Sequence, residues 1–268
     1  MHKFDGLADT MFIPLTARIY ISKRFPEYFY DAKALELESE LPDDNIEKHS
    51  SEYTMIASVA RYYNLDAMVR HFIGLHPQCN IVYLGCGLET AYERIGNTTA
   101  MFYEMDLPEV IKIRKNVLGE TENDRLIAGD LFDLKWAEQI ADRARPTLLI
   151  VSGVFQYFHE EEILSFIEKA KAAFADAELI FDATDSAGVK YSTRYVKKTG
   201  NTSAMMYFYV DDCEAFAKKA HARLIECRPF YTAARKMIGR RTKLYTRIAM
   251  KVCDDLGRAK LVHLSLHG

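Results

Sequence analysis

A chain of 268 residues, 49% apolar and 27% charged, is long enough for one large α/β domain with additions and has a globular composition. Its formal net charge of −3 lacks the basic footprint of a nucleic-acid binder, and no apolar run reaches the length of a membrane span. Five cysteines, at positions 79, 86, 213, 227 and 253, form no CxxC pair. Neither a disulfide framework nor a metal site is therefore expected. The first residues, Met1-His2-Lys3-Phe4-Asp5-Gly6, lack the apolar core of a signal peptide, so a reducing, cytoplasmic setting is the expectation.

Apolar residues at helical spacing (Met11, Leu15, Ile19) predict a helix over 10–25, stopped by Pro26. A second short helix is expected over 31–41, closed by Pro42 and a turn at 42–45. A long helix is expected over 51–76, ended by His76-Pro77 and kinked near Asn64. This N-terminal helical cap, 1–78, precedes any strand signal. From Asn80 the pattern changes to short apolar runs, which predict strands at 81–84, 100–105, 125–128, 147–151 and 178–182. Helices at 107–118, 134–144 and 160–174 separate them, and that alternation implies a mostly parallel sheet with right-handed crossovers. Residues 185–210 interrupt it with a polar, tyrosine-bearing stretch of no clear period, the kind of long insertion that serves as a lid. A helix over 211–220, a strand over 223–231, a helix over 238–256 and a strand over 260–266 complete the chain, an ending that suits a late antiparallel strand.

The first strand runs into Leu84-Gly85-Cys86-Gly87-Leu88-Glu89-Thr90. Glycines at 85 and 87 permit a tight turn and close approach of a ligand to the backbone. A dinucleotide site would want a third glycine, but Thr90 stands there, and Glu89 sets a carboxylate where a diphosphate needs positive charge. A nucleoside sulfonium, S-adenosylmethionine, has no phosphate and tolerates a carboxylate. A turn that binds nothing is the plainer alternative. Asp106, at the end of the second strand, can accept ribose hydroxyls or cap the helix that follows. After the third strand Asp130 can accept from an adenine amino group, and Leu131 can pack on the ring.

Three segments together resemble motifs of the leucine carboxyl methyltransferase family, which includes bacterial polyketide O-methyltransferases of the tetracenomycin type: Leu84–Thr90, Tyr103-Glu104-Met105-Asp106-Leu107-Pro108-Glu109-Val110, and Gly129-Asp130-Leu131-Phe132. The resemblance extends to Thr10–Arg18, to Arg61 and to Ser152-Gly153-Val154-Phe155-Gln156-Tyr157, and fades past about Thr184. It implies a Rossmann-like class I methyltransferase sheet, with 79–268 as the S-adenosylmethionine-binding domain and a lid after the fifth strand at about 185–210. It also implies roles: Gly85 against the methionine part, with Gly87 also at the cofactor, Arg61 and Arg18 toward its carboxylate, Asp106 on the ribose, Asp130 and Leu131 on the adenine. Glu89 stands where the family has Asp, Ala91 where Arg often follows the Thr, and Ser152, at the cofactor, where Glu is common. These departures leave altered or lost activity open.

The implied reaction is in-line transfer of a methyl group to a substrate oxygen, which asks the protein chiefly for alignment and exclusion of water. A carboxylate acceptor is already ionised at neutral pH, whereas a phenol profits from a base. Tyr157 and His159 are the candidates near the fourth strand, although His159 also suits the start of the Glu160-Glu161-Glu162 helix. Tyr191, Tyr195, Met206 and Tyr207 offer aromatic and flexible apolar surface for a substrate pocket. Lys190, Arg194, Lys197 and Lys198 are available to an anionic acceptor. Arg240-Arg241-Lys243 reads as a solvated face rather than a nucleic-acid contact. The expectation is therefore an S-adenosylmethionine-dependent O-methyltransferase acting on a small-molecule carboxylate or phenol, with polyketide-like acceptors among the candidates, and without nucleic-acid or membrane partners. The alternatives are an NAD-dependent oxidoreductase and a non-catalytic cofactor-binding member of the family. The sequence does not set an oligomeric state.

Overall fold

A computed structural model of the protein describes residues 11–41, 45–96, 98–189, 194 and 205–267. The chain begins with α1 (Phe12–Arg24), α2 (Ala32–Glu36) with a 3₁₀ turn at Leu37–Glu40, α3 (Asn45–His49) and α4 (Glu52–Leu75). Asp31 caps α2 by accepting from the Ala34 amide at 2.8 Å. Ser51 and Thr54 cap α4 reciprocally, each side chain accepting from the other's amide. α4 is continuous through Asn64. There the side-chain amide donates to the carbonyls of Ala60 (2.8 Å) and Phe230 (2.9 Å), which ties α4 to the C-terminal half of the chain.

Among the described residues, seven strands form one sheet: β1 (Asn80–Leu84), β2 (Met101–Asp106), β3 (Asp124–Ala128), β4 (Thr147–Val151), β5 (Ala177–Thr184), β6 (Arg223–Pro229) and β7 (Ala259–Ser265). Their order is β3-β2-β1-β4-β5-β7-β6. The first five are parallel, and β7 runs antiparallel between β5 and β6. This is the mostly parallel, Rossmann-like arrangement with a late antiparallel strand that the sequence implies. Every residue of β1 and β4 is buried, which explains their unbroken apolar runs. Side chains alternate between two cores. Ile81 and Tyr83 face α1 and α4 with Ile21, Phe25, Met55 and Val59, while Val82 and Leu84 face Phe166 and Ile167 of α7 (Glu160–Ala173).

Further helices are α5 (Ala91–Ile95), α6 (Pro108–Val117), α8 (Cys213–Lys219), α9 (Thr232–Met237) and α10 (Leu244–Asp255). The helix expected at 134–144 is a 3₁₀ turn, Lys135–Gln139. Leu134 takes a left-handed φ of 56°, and the buried Trp136 indole donates back to the Leu131 carbonyl at 3.1 Å. The helix expected over 238–256 begins only at Leu244, because the preceding Lys243 amide is held by Glu52 Oε1 at 2.8 Å and the backbone there is extended. Cys213 and Cys227 are joined as a disulfide, contrary to the sequence-based expectation. They lie 14 residues apart, at the start of α8 and within β6, with Cα atoms 6.5 Å apart. Cys79, Cys86 and Cys253 are free and buried. Among the described residues no helix is long and apolar enough to cross a membrane.

Candidate functional site

Strand order reverses between β1 and β4, and the crevice outside their carboxyl ends is where open α/β sheets bind ligands. A cavity of about 820 Å³ opens there. Its floor comes from the ends of β1, β2, β3, β4 and β5, and α1 and α4 roof one side. Phe230, Tyr231, α10 and the start of β7 close the other. The volume lies in the upper part of the range of about 300–1,000 Å³ usual for small-molecule sites.

The glycine turn is held from both sides. Gly85 and Cys86 both donate to the Met105 carbonyl, at 2.8 and 3.1 Å. Gly85 has φ +71°, and a Cβ there would lie 2.4 Å from Cγ2 of Val154, so the crossing of the two strand ends admits only glycine. The Gly87 amide donates to Asp106 Oδ2 at 2.7 Å, while Asp106 Oδ1 accepts from the Leu107 amide, also at 2.7 Å. Asp106 thus joins two strand ends and starts α6, and each oxygen retains a second lone pair. Burial pushes its carboxyl above the usual range, against the pull of those two amides.

Beneath the turn lies a dry network of charges. Arg18 pairs with Asp31 at 2.7 Å and also donates to Thr90 Oγ1 and the Leu88 carbonyl. Arg94 grips Asp66 with two bonds of 2.9 Å and reaches Asp31 at 3.0 Å and Glu89 at 2.8 Å. Burial would raise the Glu89 and Asp31 carboxyls, but the guanidinium groups of Arg94 and Arg18 outweigh it and hold both below their ordinary values. Arg18 therefore lines the cavity with its terminal nitrogens engaged in bracing the turn, and only its Nε lacks a partner.

Arg61 projects from α4 against the ends of β4 and β5, with Nη1 3.2 Å from Asp182 Oδ2. Asp182 Oδ1 accepts from the Gly153 amide at 2.5 Å. Ser152 lines the same corner, and its Oγ is buried without a partner, as are Arg61 Nε and Gln156 Oε1. Such orphaned groups are the mark of a place kept for a polar ligand. On the opposite side Asp130 is exposed and closes a turn by accepting from the Phe132 amide at 2.8 Å, with the largely buried Leu131 beside it. Gly85, Gly87, Asp106, Asp130, Leu131, Arg61, Arg18 and Ser152 all line one cavity. Glycines for close approach, a guanidinium for a carboxylate and carboxylates for hydroxyls and an amino group make a donor set that fits S-adenosylmethionine.

The substrate side differs from expectation in detail. Residues 205–210 belong to no helix or strand, and their burial alternates. Met206 and Phe208 turn into the cavity, whereas Tyr207 is 43% exposed and packs against His159 with the rings tilted and their centroids 4.4 Å apart. Neither Tyr207 nor His159 is among the lining residues, and the His159 amide instead caps α7 through Glu162 Oε2 at 2.9 Å. Tyr157 lines the cavity. Tyr191, Tyr195, Lys190, Lys197 and Lys198 lie outside the described residues, and Arg194 is exposed. Unforeseen from the sequence are Asp182, Gln156 and an aromatic wall of Tyr53, Tyr231 and Tyr245, completed by Ala249, Val252, Cys253 and Arg258. Tyr53 meets Tyr231 at 5.6 Å and Tyr245 edge-on at 6.5 Å between centroids. Burial pushes the Tyr231 hydroxyl and the Cys253 thiol up, so both stay protonated at neutral pH. Among the described residues no cluster of histidine, cysteine, aspartate and glutamate could hold a metal.

Comparison with known proteins shows the family and the fold. Residues 14–171 match the model of the leucine carboxyl methyltransferase family. The tetracenomycin polyketide synthesis O-methyltransferase TcmP of Streptomyces glaucescens is 24% identical over 182 residues, covering 68% of this chain and 67% of that protein. The S-adenosyl-L-methionine-dependent methyltransferase dpfgK of Gibberella zeae is 23% identical over 230 residues, covering 77% and 76%. Among solved structures, a Thermobifida fusca protein assigned as a methyltransferase superposes with a TM-score of 0.60 at 14% identity, over 93% of each chain, and so shares the fold.

Proposed function

This chain belongs to the leucine carboxyl methyltransferase family, whose cofactor is S-adenosylmethionine, and we propose that it methylates an oxygen of a small aromatic or apolar carboxylic acid. The cofactor supplies a methyl group already activated by a positively charged sulfur. The protein's residues bind, orient and exclude water. Asp106 and Asp130 hold the nucleoside, the turn at Gly85 lies against the methionine part, and Arg61 takes the carboxylate of that amino-acid end. The wall of Tyr53, Tyr231, Tyr245 and Val252 receives the acceptor. The name of the Streptomyces relative suggests a polyketide-like acceptor, and the aromatic wall suits one.

The observation that carries the choice of carboxylate is the chemistry of that wall. Its titratable groups are donors: Tyr231 and Cys253 are held protonated by burial, and Arg258 is cationic. Donors orient an acceptor that is already an anion, and they do not take a proton from a phenol. The test is transfer of labelled methyl from S-adenosylmethionine to a panel of aromatic carboxylic acids and phenols, followed by mild alkali. A methyl ester releases its label as volatile methanol, the expected result. Alkali-stable label would mean an ether and a phenol acceptor. Micromolar cofactor binding without transfer to any panel member would favour a non-catalytic member of the family.

A further inference from the structure

Arg61 and Asp182 stand side by side at one corner of the cavity, 11% and 13% exposed, joined by a single contact of 3.2 Å rather than by a two-bonded fork. A guanidinium and a carboxylate free to pair bidentately usually do so. Here Asp182 is held off by its second bond, to the Gly153 amide at 2.5 Å. Gly153 has φ +76°, and a Cβ at that position would lie 2.7 Å from Arg61 Nη1, so the backbone is shaped to let the guanidinium lie against it. Arg61 Nε is left without a partner, and so is the hydroxyl of Ser152, the neighbour of Gly153. The corner therefore shows a positive and a negative group next to each other, each with unused bonding capacity, and a spare hydroxyl beside them.

A lone cation would suffice to bind a carboxylate. A cation and an anion side by side are complementary to a zwitterion, whose own two charges meet their opposites when it docks in reverse order. Building on the adenosylmethionine reading, we propose that Asp182 receives the α-ammonium group of the cofactor's amino-acid end, with Ser152 Oγ as a second acceptor, while Arg61 takes its carboxylate. Asp182 is then a specificity residue. It makes the site select an intact amino acid over a simple carboxylate, because a ligand without the ammonium leaves the Asp182 charge in a poorly solvated corner with nothing new to bind.

The experiment is calorimetric titration of the wild type and Asp182→Asn with two ligands. One is S-adenosylhomocysteine, and the other is its analogue with hydrogen in place of the α-ammonium. The wild type is expected to prefer S-adenosylhomocysteine by about 10- to 100-fold, the worth of one hydrogen bond between charged groups. In Asp182→Asn that preference disappears, because S-adenosylhomocysteine weakens to the level of the analogue while the analogue holds its affinity. If the variant loses both ligands in equal proportion, Asp182 acts only by holding Arg61, and the proposal is wrong. Equal affinity of the wild type for both ligands overturns it too, whether or not the variant folds. Failure of the wild type to bind S-adenosylhomocysteine at all is a different result. It removes the adenosylmethionine reading, and this inference with it.

Discussion

Beneath the glycine turn, Arg18 and Arg94 share Asp31, Asp66 and Glu89 in a network closed to solvent, with every partner within 3.0 Å. Across the cavity, the wall of Tyr53, Tyr231 and Tyr245 is held by ring contacts, and Tyr245 is 65% exposed. One side is fixed by directional, mutually dependent bonds, and the other by adaptable apolar surface. The difference matches the ligands each side is read to serve. A cofactor of constant structure rewards a rigid turn, while an acceptor that varies between relatives rewards a wall that can change residue by residue.

Breaking the rigid side should cost most. Arg94→Met removes the partner of three buried carboxylates at once and leaves Asp66 and Glu89 without a cation in contact. Loss of one member of a buried ion pair typically costs about 3–5 kcal/mol. A fall of that size in the urea unfolding free energy is expected, with weaker S-adenosylhomocysteine binding in whatever protein remains folded. A loss below about 1 kcal/mol would mean that apolar packing, and not charge, holds the turn.

The carboxylates nearby are not all so well served, and pH separates them. Asp31 and Glu89 are held below their ordinary values, so their stabilisation is present above the unfolded pKa near 4 and disappears as pH falls through their folded values. Asp124, at the start of β3, is pushed up to about 6, chiefly by burial, and its Oδ1 has no hydrogen-bond partner. Its folded form keeps a proton that the unfolded chain has lost, so stability falls as pH rises from about 4 to 6, on the order of 1.4 kcal/mol per pH unit at most. Asp124→Asn should flatten that fall and raise stability at pH 7.5 by about 1–3 kcal/mol, while the acid limb below pH 4 stays in place. Unfolding curves across pH 3–8 decide it. An unchanged slope between pH 4 and 6 would assign the loss to another group, for which Glu104, Asp66 and Asp106, all pushed up by burial, are the candidates.

These features differ in how far the sequence announces them. The parallel strands are legible because burial on both faces forces unbroken apolar runs, as in Thr147–Val151. The turn is legible because Gly85 and Gly87 meet constraints that other residues cannot, and Asp106 because it sits one strand-end away in register. Asp182 is not legible from spacing: it reads as one more residue of a strand, and its partner Arg61 is 121 positions away. The aromatic wall joins Tyr53 to Tyr231 and Tyr245 through tertiary folding alone. Composition marks residues 205–210 as apolar and aromatic but cannot give the phase in which they alternate, so Tyr207 is expected inside together with Met206, whereas Met206 and Phe208 are found there. The disulfide is hidden for the same reason, since Cys213 and Cys227 share no motif and meet only when α8 folds back onto β6.

The adaptable wall gives the smallest stability effect and the sharpest functional one. Tyr245 begins the cavity-facing side of α10, mostly exposed, and touches Tyr53 edge-on. Tyr245→Ala removes surface that the folded chain hardly buries, so stability should move by less than about 0.5 kcal/mol. Binding of S-adenosylhomocysteine should be unchanged, because the turn, Asp106 and Arg61 are untouched. An acceptor stacked on this wall loses an aromatic contact worth about 0.5–1.5 kcal/mol, so its KM should rise about 3- to 10-fold with kcat nearly constant. Loss of cofactor affinity in the variant would place the two ligands the other way round in the cavity. An unchanged KM would move the acceptor off α10, toward Met206 and Phe208 on the facing segment.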